Sequence, residues 1–194
     1  MAFRVQEFRS QMFFDGARSN LFQCELTFPT TTGSPQQKYT FNAKSAVLPG
    51  DAMGYVTTYY FGRELKFSGN RTFPDWTVTV INDEDFTVRN AFERWMSGMN
   101  SHVGNLRDPA LLSPFSYQQD GYITQFGKIG NEIKRYKFVG MFPTDISPID
   151  MDWGSNDQIE EYSVTFAYQW WEELATTDST GSVSPFSPIL QPIP

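Results

Sequence analysis

Asp150 and Asp152 stand two residues apart, so an extended chain would place both carboxylates on one face. Such a pair could share acid–base work or hold a divalent cation. Carboxylates at this spacing are also common on solvated strand edges, and no second set of acids can be placed beside them, so the solvated reading outweighs the catalytic one. His102, the single histidine, lies in a polar stretch where a solvated side chain is a stronger reading than a general base. Cys24 alternates with Phe22 and Leu26, which makes it a small core residue. One Cys and one His exclude a disulfide framework and a Cys/His zinc site, and they allow a Cys–His nucleophile pair only if the two meet. The motifs of phosphate-binding loops, nucleophile elbows, zinc proteases and dinucleotide sites are all absent. Asn70-Arg71-Thr72 matches a glycosylation sequon, which carries no meaning without a signal peptide. The residues therefore assign no catalytic group, no cofactor and no metal, and they predict a protein that is not an enzyme.

The elements that would position these residues are mostly strands. Phe22, Cys24, Leu26 and Phe28 alternate with Gln23, Glu25 and Thr27, the period of a half-buried strand ended by Pro29. The same period predicts a second strand over Lys38–Ala43, closed by the turn signal Leu48-Pro49-Gly50. Trp76, Val78 and Val80 mark a strand that runs into a helix over 83–98. Asn82 is its expected N-cap, Asp83, Glu84 and Asp85 complement its dipole, Ile81 and Phe86 have the spacing of a staple, and Gly98 is its stop. Val88, Phe92, Trp95, Met96 and Met99 give that helix one apolar stripe. Residues 100–119 read as a long loop. Residues 122–126 and 133–139 read as a hairpin, followed by a connection to Trp153. Tyr162, Val164, Phe166, Tyr168 and Trp170 share one face of a final strand.

Residues 55–67 read as another hairpin, with Tyr55, Thr57, Tyr59, Tyr60 and Phe61 before Gly62-Arg63-Glu64 and Leu65 and Phe67 after it. Its first arm is aromatic or β-branched on both faces, so burying one face leaves the other uncovered. Two readings stay open: a central strand covered on both sides, or an arm reaching roughly 20 Å at about 3.3 Å per residue to pack on a neighbour. The adjacent Trp170 and Trp171 could similarly serve a sugar-binding platform. In a strand, however, they point to opposite faces, so burial against a neighbouring chain is the better reading.

The 194 residues suit one domain, with 16% aromatic and 19% charged residues, which excludes a disordered chain. Residues 1–137 carry 13 acids and 15 bases, whereas residues 138–194 carry nine acids and no base. Apart from Lys134-Arg135-Tyr136-Lys137 the chain has no cationic cluster, so it lacks the footprint of a protein that grips nucleic acid. The N-terminus has no apolar signal core and no run approaches the roughly 20 residues of a bilayer span, so synthesis and assembly in the cytosol are expected. A domain over 1–174 and a Ser/Pro-rich extended tail over 175–194 complete the organisation, the tail holding four of the 12 prolines.

Several blocks together resemble one family, the tail-tube proteins of contractile-tailed bacteriophages of the T-even type. They are Arg18-Ser19-Asn20-Leu21-Phe22-Gln23, Ala43-Lys44-Ser45-Ala46-Val47-Leu48-Pro49-Gly50 and Gly69-Asn70-Arg71-Thr72-Phe73-Pro74-Asp75-Trp76-Thr77-Val78-Thr79-Val80-Ile81-Asn82-Asp83-Glu84. A further block runs from Phe142-Pro143-Thr144-Asp145 through Met151-Asp152-Trp153 to Asp157-Gln158-Ile159-Glu160, and the final strand ends in Trp170-Trp171-Glu172. They cover most of residues 18–173.

The resemblance implies a mainly β fold, an antiparallel barrel or two orthogonally packed sheets with one flanking α-helix, a long protruding hairpin and an extended C-terminal tail. It implies hexameric rings stacked into a tube within a sheath. The partners it implies are other copies of the chain, a tail sheath protein, baseplate and tail terminator proteins, a tape measure protein inside the tube, and double-stranded DNA passing through without specific binding. It places the protein in the virion, assembled in the host cytoplasm. The expected inter-ring contact is the hairpin, through Tyr55, Thr57, Tyr59, Tyr60, Phe61, Leu65 and Phe67. The candidate lumen acids are Asp145, Asp150, Asp152, Asp157, Glu160 and Glu161. A tube component of a related contractile injection system and a monomeric β-sandwich binding module are the alternatives.

Overall fold

A computed structural model describes residues 4–12, 16–33 and 35–174. The order is α1 (Val5–Gln11), β1 (Phe22–Leu26), α2 (Gln36–Asn42), β2 (Ala43–Ala46), β3 (Ala52–Tyr60), β4 (Arg63–Thr72) and β5 (Trp76–Ile81). Then follow α3 (Thr87–Met99), the single-turn α4 (Pro114–Tyr117), β6 (Gln119–Phe126), β7 (Glu132–Ile146), β8 (Glu161–Ala167) and β9 (Trp170–Leu174). The expected tail over 175–194 lies outside the described residues.

Seven strands pair antiparallel along one path, β1-β6-β7-β8-β5-β2, with β9 on β7. The 15-residue β7 belongs to two sheets. Residues 135–139 pair with β9, and residues 142–146 pair with β8. The change of sheet falls at Gly140, whose φ of +66° suits glycine, and where a Cβ would come within 2.9 Å of Gln169 Cγ. The chain between β8 and β9 turns at that same corner, with the Gln169 amide donating to the Val139 carbonyl at 3.0 Å. The path stays open, so the expected barrel does not close. The two packed sheets do form, with a corner made by strands that pass from one to the other.

Alternation explains the inner faces. Trp76, Val78 and Val80 of β5 are buried and pair with Phe166, Val164 and Tyr162 of β8. Around them the rings of Phe28, Tyr39, Phe92, Trp95, Phe138 and Phe166 pack in one continuous cluster, with centroids such as Trp76–Phe138 4.4 Å and Phe28–Phe92 5.1 Å apart. Cys24 sits in this core as expected, and burial pushes its thiol up to about 12.

Five expectations need correction. Lys38–Ala43 is the helix α2, because only Tyr39 is buried while Phe41 points to solvent at 78% exposure; the alternation of 39, 41 and 43 was not a sheet face. Helix α3 starts at Thr87 rather than after Asn82. Asn82 instead donates through Nδ2 to Glu160 at 2.8 Å, Phe86 takes a left-handed φ of +51° and stays exposed, and Asp85 accepts from the Thr87 amide at 3.0 Å. Gly98 lies inside α3, where Leu111 approaches so closely that a Cβ would meet its Cδ1 at 2.7 Å. Finally, β7 continues through Pro143, which sits beside a register shift where the missing N–H is tolerated, and the single final strand breaks at Tyr168–Gln169 into β8 and β9.

The long loop over 100–119 is folded onto α3. Trp95 Nε1 donates to the Tyr117 carbonyl at 2.9 Å, and Leu111 is buried within a 3-10 turn at Pro109–Leu111 that Asp108 caps.

Candidate functional site

Strands β3 and β4 form their own two-stranded sheet and pair with no other strand among the described residues. Of the two readings of residues 55–67, the arm is the one observed, and it is longer than expected, nine and ten residues. Every residue of β3 and all but one of β4 are exposed. The turn is Phe61-Gly62, with φ of +48° and +77°, so both turn residues are left-handed and match the twist of the arms. Gly62-Arg63-Glu64 was the expected turn; Arg63 and Glu64 belong to β4 instead.

Register sorts the side chains into two faces. Tyr55, Thr57 and Tyr59 lie opposite Ser68, Lys66 and Glu64, and Lys66 sits 4.9 Å above the Tyr55 ring. Val56, Thr58 and Tyr60 lie opposite Phe67, Leu65 and Arg63. One face is therefore mostly apolar, with Arg63 at the tip of the arm, and the other is tyrosine mixed with charge. Reading the first arm alone suggested two equally apolar faces, because the charges that distinguish them come from the second arm. Val56, 61% exposed, belongs to the apolar face and was missed, although its β-branched type in the run was the signal.

The root of the arm is fixed to the body by two indoles. Trp76 Nε1 donates to the Val47 carbonyl at 2.7 Å, and Trp171 Nε1 donates to the Gly50 carbonyl at 3.2 Å. Arg71 pairs with Asp51 at 3.1 Å beside it. Above this root a register shift falls between Met53 and Tyr55, where Gly54 and Gly69 face each other so tightly that a Cβ on Gly69 would lie 3.0 Å from the Gly54 carbonyl carbon. Trp170, by contrast, is exposed, so the two tryptophans do part as expected.

The six candidate acids do not form one cluster. Asp145 is exposed on β7. Asp150, Asp152 and Asp157 are exposed in the loop from β7 to β8, with Asp152 Oδ1 accepting the Gly154 amide at 3.0 Å. The structure does not make the Asp150/Asp152 pair a strand edge. Glu161 pairs with Lys44, and Glu160 accepts from Asn82, so both are held at the edge near β2 and β5. His102 is exposed in its loop, and among the described residues no group of three or more His, Cys, Asp or Glu side chains could hold a metal ion.

Chains of contractile injection assemblies share this fold. A chain of the anti-feeding prophage baseplate superposes with a TM-score of 0.60 at 13% identity, covering 82% of this chain and 95% of that one. A chain of the PVC sheath–tube complex of an extracellular contractile injection system superposes at 0.57 and 12% identity, covering 90% and 100%. The chain belongs to the phage tail tube protein family, whose model matches residues 17–174. It is 31% identical to the tail tube protein gp19 of Enterobacteria phage T4 over 159 residues, 81% of this chain and 92% of that protein. To the tail tube protein of Serratia phage KSP90 it is 24% identical over 168 residues. Tail tube proteins of contractile phages are structural components of the virion.

Proposed function

We propose that this chain closes into six-membered rings that stack into the inner tube of a contractile tail, and that the β3–β4 hairpin is the contact between successive rings. The observation that carries this is the hairpin itself: an arm of nine- and ten-residue strands, rooted by two indoles, with Val56, Tyr60, Leu65 and Phe67 uncovered on one face. A subunit with one surface docking on a different surface of the next copy can grow without limit. The tube would serve as the conduit for double-stranded DNA. A sheath would surround it, a baseplate and a terminator would bound it, and a tape measure protein would fill it before DNA enters. The PVC neighbour comes from a sheath–tube complex and the anti-feeding prophage neighbour from a sixfold-symmetrised baseplate, which supports the sheath and baseplate as partners. Assembly would take place in the host cytoplasm.

Electron microscopy of the purified protein should show rings or tubes; isolated small globules would favour a monomeric binding module. Tyr59→Ser with Phe61→Ser, and independently Leu65→Ser with Phe67→Ser, should leave the thermal midpoint of the subunit unchanged and abolish long tubes. The lost burial, roughly 1.5–3 kcal/mol per large side chain, would come from the interface. Unfolding of either variant would instead make the hairpin part of the subunit core.

A further inference from the structure

The loop between β7 and β8 carries a second uncovered feature. Trp153 is fully exposed, with Met151 and Ile159 beside it in the chain, also exposed. Asp150, Asp152 and Asp157 flank these residues, and none of the three has an ion-pair partner among the described residues. A solvated tryptophan framed by acids has no work to do within its own subunit, and tryptophan and arginine are the residues that most often anchor interfaces.

Elsewhere on the chain an open cavity of about 480 Å³ lies between the C-terminal half of α3 and the loop that follows it. Its wall includes Arg94, Ser97, Ser101, Leu106, Arg107 and Asp108. Arg94 has no carboxylate partner among the described residues, while Arg107 is fixed by Nε donating to the Met99 carbonyl at 3.2 Å and by stacking 4.9 Å from the Tyr117 ring. The Asp108 carboxylate is engaged as the cap of the 3-10 turn. The cavity thus combines apolar wall with a cationic excess, and the loop combines an aromatic anchor with an anionic excess.

We infer that Trp153 of one subunit docks in the Arg94–Arg107 cavity of a second copy of the same chain, with Asp150 and Asp152 facing the two guanidinium groups. The inference rests on the self-assembly proposed above and adds a contact separate from the hairpin. The two surfaces differ, so the contact is heterologous, head to tail, and its repetition closes a ring when the rotation per step allows. Truncating a desolvated tryptophan anchor is among the costliest single changes an interface suffers.

A cysteine pair tests this on the assembled protein. Ser155→Cys together with Ser97→Cys, which keeps Trp153 in place, oxidised after assembly, should yield a ladder of covalent oligomers running up to the full copy number of the ring, and neither single variant should yield one. Cys24 is buried and stays out of the reaction. Tubes without a ladder, or a product that stops at dimers, would overturn the contact while leaving the tube reading intact. Occupation of the cavity by residues 175–194 or by a sheath subunit would give that same negative result. Absence of tubes from the unsubstituted chain would instead sink the reading on which the contact rests. Should the cysteines disturb assembly, charge reversal gives a second measurement: Arg94→Glu and Asp152→Arg should each raise the protein concentration needed for assembly several-fold, and the double variant should restore it. A double variant as poor as the sum of the two counts against the pairing.

Discussion

Lys38 on α2 ties together the approach to α3. Its ammonium contacts Asp83 at 2.7 Å and also Asp85, and both partners raise its pKa, Asp83 foremost. Asp85 is held down to about 2, first by Lys38 and then by the Thr87 amide that it caps. A carboxyl whose folded pKa lies below its unfolded value contributes stability above the unfolded value, near 4, and loses that contribution as pH falls toward 2. Lys38→Met should therefore move the Asp85 midpoint, followed by NMR of its carboxyl carbon, up toward the ordinary aspartate range. A midpoint that stays at about 2 would assign the effect to the amide alone. None of this pairing was legible beforehand, because Lys38 sat in a stretch whose alternation imitates a strand. What the residues did show was that Asp83 and Asp85 belong at a helix start; the start itself lies at Thr87.

At the scale of elements, α3 is the piece that closes the core. Phe92 is fully buried between Phe28, Tyr39 and Phe166, with centroids 5.1 to 5.8 Å away. Phe92→Ala should cost about 3–5 kcal/mol, measured by denaturant unfolding of the subunit, and a thermal midpoint within about a degree of the parent would show that the site is not packed as described. Strands β1, β5 and β8 were legible because one face of each is buried and the other is not, which writes the period of two directly into the chain. The corner at Gly140 and the passage of β7 between sheets were not. Bends of that kind depend on which distant strand pairs with each half, and the continuation of β7 beyond Val139 through Pro143 rests on a register shift that cannot be seen locally. The hairpin was recognisable as a hairpin, but its isolation from the body follows from tertiary pairing.

The whole molecule bears its charge unevenly, and a tube that passes DNA must avoid holding it, since each phosphate contact adds affinity. Asp145 and Glu160, carried by β7 and by the residue preceding β8, are the proposed contributors to an acidic wall, with Glu161 already neutralised in part by Lys44. The acids of the Trp153 loop are committed to a neighbouring copy on the inference above. Asp145→Lys with Glu160→Lys should slow or block DNA release from an assembled phage while tubes of normal length still form. Normal ejection with normal tubes would remove that pair from the wall. The excess of acid in the last third of the chain was visible from the residues; its division between partners needed the fold.

The bulged root of the hairpin has a kinetic meaning. An isolated two-stranded ribbon is marginally stable in water at best, and this one is held by its ladder, its two-residue turn and a glycine-on-glycine contact at Gly54 and Gly69. If the hairpin is the contact proposed above, fraying of the arm in a lone subunit would make a collision between two free subunits seldom productive. On the stacking proposed above, the end of a growing polymer would present a completed ring of receptors at once. Elongation would thereby be favoured over spontaneous initiation, and a pool of free subunits would wait for a template that sets where polymerisation begins.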